Sequence, residues 1–322
     1  MATLYIDHKN YTLGHDAGRL LLQDADGKRG IPLHSLERVV VHGSNTLDTR
    51  LLHALSEQRI PLICIHPRHG DKTAHIGANH HAQASRRLAQ YRLLVEQPTL
   101  RLSLSRRLIT TKVNNQYQLL QKAREARPDR RKPLSDGIAT LHKIHSRLQN
   151  EEPLGLDQLR GNEGAAAAAY FAAYQTLFAP SLEFVGRNRR PPRDPVNACL
   201  SLAYTLLHHD AITACHITGL DPLLGYFHDL SYNRESLASD LIEPLRPHVD
   251  RWVWELFRTR QLEERHFTRA QQACLLDKAG RKIFYQQWEI NAPPLRRHLR
   301  LHGYGLVKAL RPLMDPDNSE EA

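Results

Sequence analysis

Leu159-Arg160-Gly161-Asn162-Glu163-Gly164 runs directly into Ala165–Ala169 and then Tyr170-Phe171. The pattern places Glu163 at the entrance of a helix whose next turn is nearly all alanine. Such small side chains bury little apolar area, but they let a neighbouring backbone or helix approach closely. Glu163 is then expected in a crowded, partly dry place, where a carboxylate is costly unless a cation meets it. Three distant residues look able to complete the set: His228, Asp240 and Glu243.

The chain around this stretch has 322 residues, more than one core usually organises, so two domains are expected. Its 41% hydrophobic and 24% charged content is ordinary for a folded globular protein. The formal charge is +10 and unevenly placed. Residues 1–85 carry nine Lys/Arg against eight Asp/Glu, whereas residues 86–322 hold 35 against 26. A basic excess confined to the second part attracts polyanions, nucleic acid above all, or is simply a solvated surface. The four cysteines are widely separated, with no C-x-x-C pair. That argues against a zinc knuckle or disulfide framework and suits a reducing compartment. The opening residues carry charges at once, and no apolar run approaches membrane-spanning length, so a cytoplasmic location without membrane contact is expected.

Residues 1–80 read as β structure: Leu4–Ile6, Tyr11–Leu13, Arg19–Leu22, Arg38–Val41 and Ile60–Ile65 are short runs rich in β-branched, aliphatic or aromatic residues. Asp26-Gly27 suits a hairpin turn, and Thr49–Gln58 reads as one intervening helix. After His80-His81 the period changes. Arg86–Gln97, Arg101–Ala126, Lys132–Asn150, Gly164–Phe178, Asp194–Cys215, Ser236–Leu256 and Glu263–Ala279 are predicted helices. The prolines, Pro293-Pro294 included, are expected in breaks between elements. The reading is α+β: a β-rich amino-terminal domain over 1–83, then a larger all-α domain over 84–322.

Asp240 and Glu243, three apart on a predicted helix, should point to one side, among Leu237, Leu241, Ile242 and Leu245. Their mutual repulsion would be relieved by a divalent cation or by a guanidinium, from Arg234 or Arg246. His228 follows an apolar stretch and a glycine, a setting that suits a core histidine as well as a ligand. One imidazole with two or three carboxylates suits Mg²⁺ or Mn²⁺ better than zinc. In a basic protein such an ion points to phosphodiester chemistry.

Four phrases then resemble one family, the CRISPR-associated integrases that form the catalytic subunit of spacer acquisition. They are Arg160–Ala166 with Tyr170-Phe171; Arg187–Ser201, reading RNRRPPRDPVNACLS; Gly219–Pro222 through Gly225–His228; and Ser236–Pro247, reading SLASDLIEPLRP. The β-rich opening, with Ile31-Pro32-Leu33 before Val39–Gly43, is similar too. The resemblance implies a metal-dependent DNA endonuclease and integrase, with a β-rich dimerisation domain and a helical catalytic domain. It implies a homodimer paired with a small ferredoxin-like partner protein. The assembly would join the 3′ ends of short spacer DNA into the repeat array by transesterification. Carried over, Glu163, His228, Asp240 and Glu243 supply the catalytic metal site for Mg²⁺ or Mn²⁺. The reading favours Glu243 as the third ligand, with Asp240 orienting it.

Around that site, Arg187, Arg189, Arg190 and Arg193 are expected to fork onto phosphates, stiffened by Pro191-Pro192. Arg296 and Arg297 form a second basic cluster. Tyr170 is a candidate to stack on or hydrogen-bond near the site, although a Tyr-Phe pair is more often plain core, and Asn197 is a candidate to contact DNA or cap a helix. Arg160 and Arg234 complete the expected DNA contacts. Two alternatives are a metal-dependent nuclease that cuts branched DNA without integrating, and a non-catalytic DNA-binding subunit in which the four residues form a buried ion-pair network.

Overall fold

The computed structural model describes residues 2–25, 27–66, 73–76, 84–150, 154–188, 191–232, 234–270 and 273–314. It divides into two compact units, Met1–His81 with Asp277–Ile290, and Ala82–Leu276 with Asn291–Ala322.

Among the described residues the first unit holds two four-stranded sheets. Its elements are β1 (Ala2–Ile6), β2 (Thr12–Asp16), β3 (Arg19–Asp24), β4 (Gly27–Pro32), β5 (Leu36–His42), β6 (Thr46–Leu47), α1 (Thr49–Glu57), β7 (Leu62–Ile65) and β8 (Ala74–Ile76). One sheet runs β1-β5-β7-β8, its first three strands parallel, and the other runs β4-β3-β2-β6. The unbroken apolar run Val39-Val40-Val41 is buried throughout, as expected of a parallel strand covered on both faces. Val39 and Val41 join Leu13, Leu20, Leu51 and Leu62 in the core between the sheets and α1. The opposite side is met by the opening turns of α9 (defined below): Tyr285 stacks on Tyr5 at 4.3 Å, and Arg281 holds Asp7 at 2.6 Å. The Asp26-Gly27 turn falls partly outside the described residues, with Gly27 at φ 146° on its far side.

The second unit is helical: α2 (Ala84–Val95), α3 (Pro98–Ala126), α4 (Arg131–Gln149), α5 (Leu156–Tyr174), α6 (Pro195–Ile217), α7 (Ser236–Ile242) and α8 (Arg246–Arg258). A short hairpin follows, β9 (Phe267–Ala270) and β10 (Ala273–Leu276), then α9 (Lys278–Leu310), whose second half belongs here. The close approach expected from the alanines of α5 occurs against α4. A Cβ on Gly137 would lie 2.7 Å from the Ala173 Cβ and 3.4 Å from the Ala169 carbonyl.

Three expectations are corrected. Helix α5 begins eight residues before Gly164, so Glu163 lies within the helix rather than at its dipole-favoured start. The predicted helix Glu263–Ala279 is mostly the β9–β10 hairpin, where the side chains of β10 alternate between half-buried and buried along the strand. Pro293-Pro294 lie inside α9, not in a break, because Trp288, Ala292 and Leu299 are buried on either side and hold the helix through the lost donors. Among the described residues no helix is long and apolar enough to cross a membrane.

Candidate active site

The acidic helix is broken where its prolines require. Pro244 and Pro247 cannot donate to the preceding turn, so Ser236–Leu256 divides into α7, a 3₁₀ turn at Glu243–Leu245, and α8. Asp240 stays in α7 and turns towards the segment 226–228. Glu243 opens the 3₁₀ turn and meets α3. The two acids therefore have different partners, which corrects the expectation that they share one side.

Asp240 is fully buried and its oxygens are saturated. Oδ2 accepts from the Tyr226 and Phe227 amides at 2.7 and 3.0 Å, and Oδ1 from the His228 amide at 3.1 Å. The His228 Nδ1 lies 2.6 Å from Oδ1. A carboxylate oxygen accepts, so Nδ1 is the donor of this pair, and Nε2 is the ring nitrogen left for another partner. This packing needs Gly225, because a Cβ there would lie 2.6 Å from the Ser236 carbonyl carbon. Arg101 and Arg160 grip the same segment from α3 and α5. Arg101 Nε donates to the Tyr226 carbonyl at 2.8 Å, and Arg160 pairs with Asp229 at 2.6 Å. Asp240 thus orients His228, not Glu243.

Glu163 and Glu243 converge on a residue the sequence reading missed, Lys112 of α3. Its ammonium pairs with Glu163 Oε1 and lies 2.6 Å from Glu243 Oε2. Arg246 donates to the other Glu243 oxygen at 2.9 Å. Burial alone would push the Glu243 carboxyl up, but the charges of Arg246 and Lys112, with His228 contributing, hold it well below its usual range. Burial would likewise push Lys112 down, yet Glu243 and Glu163 raise it above the usual lysine range. Lys112 was legible in principle: it is a cation on the buried stripe Leu108, Ile109, Lys112, Val113, Gln116, Leu119, Leu120. Arg246, rather than the exposed Arg234, is the guanidinium beside the acidic pair.

Next to this cluster, Arg246 lies over the Tyr204 ring at 4.6 Å, and the Tyr204 hydroxyl donates to Asp250. Tyr170 is wholly buried and donates to the other Asp250 oxygen at 2.9 Å, so it is part of the core and offers no face for stacking. Asn197 is also buried, its amide spent on Arg187, Asn188, Gly186 and Asp194, which corrects its reading as a DNA contact. Arg187 braces Asn197 and Ser201. Arg296 is paired with buried Asp210 at 3.1 Å instead of lying on an open basic surface. Arg193, Arg234 and Arg297 are exposed, while Arg189 and Arg190 lie outside the described residues.

Among the described residues no three His, Cys, Asp or Glu side chains form a ready metal cluster, so the expected four-ligand site is not preassembled. The physical reason is visible: Asp240 is saturated by amides, and Lys112 takes the place between Glu163 and Glu243. The donor chemistry of the remaining three nevertheless fits a hard divalent ion. Two carboxylates already face one cation, and a neighbouring imidazole has its Nε2 presented.

Fold and site together define a protein with a β-rich unit and a helical unit carrying a histidine–carboxylate–lysine cluster. The family model described as CRISPR associated protein Cas1 matches residues 4–290. The chain is 36% identical over 295 residues to the CRISPR-associated endonuclease Cas1 1 of Thermodesulfovibrio yellowstonii, covering 90% of this chain and 91% of that one. It is 35% identical over 309 residues to Cas1 2 of Rhodospirillum rubrum, covering 92% and 88%. A solved Cas1 protein from Thermotoga maritima superposes with TM-score 0.82 at 25% identity, covering 96% and 97%. A casposase bound to integration product shares the fold at TM-score 0.81 and 18% identity, covering 100% and 96%. So does a chain of a Cas6-RT-Cas1–Cas2 complex, at 0.80 and 23%, covering 96% of this chain and 35% of that one. The chain belongs to the Cas1 family of CRISPR-associated endonucleases.

Proposed function

We propose that this endonuclease joins the 3′-hydroxyl ends of short spacer DNA into a CRISPR repeat array by transesterification, using Glu163, His228 and Glu243 to hold Mg²⁺ or Mn²⁺. The observation that carries the reading is the convergence of Glu163 and Glu243 on one cation, beside an imidazole fixed at Nδ1. When bound, the ion would supply charge for the scissile phosphate and acidify the attacking hydroxyl. The chain's own residues do the positioning. Asp240 sets the tautomer and direction of His228, Arg246 anchors one oxygen of Glu243, and Arg101 and Arg160 pin the segment that carries the histidine. Arg193, Arg234 and Arg297 provide exposed charge for the DNA backbone. Water in place of the hydroxyl gives cleavage from the same residues.

The β-rich amino-terminal unit serves dimerisation in this reading, and a small ferredoxin-like protein completes the complex. The similar chain from a Cas1–Cas2 assembly and the casposase caught with its integration product support both partner and reaction. A non-catalytic DNA-binding subunit would also contain a buried ion-pair network such as Glu163–Lys112–Glu243–Arg246, but membership of an endonuclease family weighs against it. Glu163→Gln separates the readings. Strand joining, followed as a lengthened labelled product on a gel, should fall by at least about 100-fold. DNA binding should remain, since neutralising an acid removes no phosphate attraction. Full joining activity in this variant would sink the assignment.

A further inference from the structure

The Lys112 side chain is only 8% exposed, and its two anionic partners are the carboxylates that the proposed function assigns to the divalent ion. Its nitrogen lies 2.6 Å from Glu243 Oε2. Mg²⁺ binds carboxylate oxygens at roughly 2.0–2.1 Å, so ion and ammonium cannot share the place between the same two oxygens. Charge leads to the same conclusion. Lys112 and Arg246 balance Glu163 and Glu243, so a divalent ion added to the intact cluster would leave two uncompensated positive charges in a largely buried site. With the ammonium withdrawn, one excess positive charge remains, which a single phosphodiester neutralises.

We infer that Lys112 is a resident counter-cation that the divalent ion must displace, so that metal loading and release of the Lys112 side chain are one event. The inference rests on the proposed metal site. It makes Lys112 a positioning residue: in the metal-free protein it keeps two repelling carboxylates together, and once displaced its charge is free to meet the incoming phosphate. DNA then favours the loaded state twice, by adding a negative charge beside the ion and by giving the displaced ammonium a partner. Metal affinity is kept low until DNA arrives.

The test is Mn²⁺ binding to the full-length protein without DNA, followed by the loss of the free-ion electron paramagnetic resonance signal. Removing the competitor in Lys112→Met should tighten binding on the order of tenfold, and Lys112→Gln should do the same with less loss of stability. The Mn²⁺-induced rise in melting temperature should be larger in both variants than in the wild type. Wild-type protein offers a check that needs no substitution: an acylating amine reagent, read by mass spectrometry of the Lys112 peptide, should label Lys112 several-fold faster with Mn²⁺ than without. Unchanged or weaker Mn²⁺ binding in the variants, or labelling indifferent to Mn²⁺, would overturn displacement. Glu163→Gln keeps the two ideas apart. If it binds Mn²⁺ as the wild type does, the metal-site assignment itself fails; if it loses Mn²⁺ while the Lys112 variants gain nothing, only the displacement fails.

Discussion

Glu243 and Asp250 lie seven residues apart, both buried in the helical unit, and their surroundings drive them in opposite directions. Glu243 has Lys112 and Arg246 against its two oxygens and is held well below the usual carboxylate range despite its burial. Asp250 has hydroxyls: Tyr204 on Oδ1, Tyr170 on Oδ2, and Tyr174 on its main-chain carbonyl at 2.7 Å. Burial pushes its carboxyl up to about 6, because the tyrosine hydroxyls, with the charges of Arg246 and Arg187, offset less of the desolvation than Lys112 and Arg246 do at Glu243. Depth therefore does not decide ionisation here; the kind of neighbour does. One pocket keeps a carboxylate that stays ionised far into acid, and the other holds, inside a tyrosine core, a carboxyl that takes up its proton near pH 6.

The largest effect is expected where the comparison is broken at its charged end. Glu243→Gln leaves Lys112 and Arg246 facing a neutral amide, with Glu163 as the remaining acid of the cluster. Unfolding in urea at pH 7 should show a loss of about 3–5 kcal/mol, the usual cost of stranding half of a buried ion pair. A loss below about 1 kcal/mol would mean that water screens the cluster, and the contrast with Asp250 would vanish.

The next test sharpens the neutral end. The carboxyl of Asp250 titrates higher in the folded chain than its ordinary value near 3.8. Between about pH 4 and 6 the native state therefore binds the extra proton, and stability falls as pH rises through that window. Asp250→Asn removes this one slope. The stability difference, wild type minus variant, should decline by up to about 3 kcal/mol from pH 4 to pH 7. A flat difference would show that Asp250 stays ionised throughout.

What sequence could reveal follows the same division between pattern and partner. Val39–Val41, the leucines of Thr49–Glu57 and the long apolar stripes of α3 and α6 encode burial locally, so the β-rich opening and helical remainder were legible. Phe267–Leu276 carries too short an alternation to compete with the helical period around it, and α9 survives Pro293-Pro294 only through packing on both sides. In the site, residue types announced Glu163, His228, Asp240 and Glu243. Nothing local announced that α3 would place Lys112 between two of them. Burial of polar groups was half legible: Tyr170 read as core or as a stacking face and Asn197 as a cap or a DNA contact, and the hydrogen-bonding capacity of both is spent inside the protein. Composition can identify a charge, but only the tertiary fold gives it a counterpart.

Tyr204 joins the two pockets, and its smaller effect is the more discriminating. Its hydroxyl serves Asp250, while its ring lies under Arg246 at 4.6 Å and Arg187 at 5.4 Å. Tyr204→Phe removes the donor and keeps the ring. The lost hydrogen bond should cost about 1–2 kcal/mol at pH 7, where the carboxyl is ionised, and less at pH 5, where it is largely protonated and needs the donor less. Endonuclease activity should stay close to wild type, because Arg246 remains stacked and Glu243 remains anchored. Tyr204→Leu removes ring and hydroxyl together; it should lose about a further 0.5–2 kcal/mol and reduce activity as Arg246 loosens. Equal penalties for Tyr204→Phe at pH 5 and pH 7 would mean that Asp250 does not change its charge in that interval. The contrast with Glu243 would then reflect hydrogen-bond count alone rather than the charge of the neighbours.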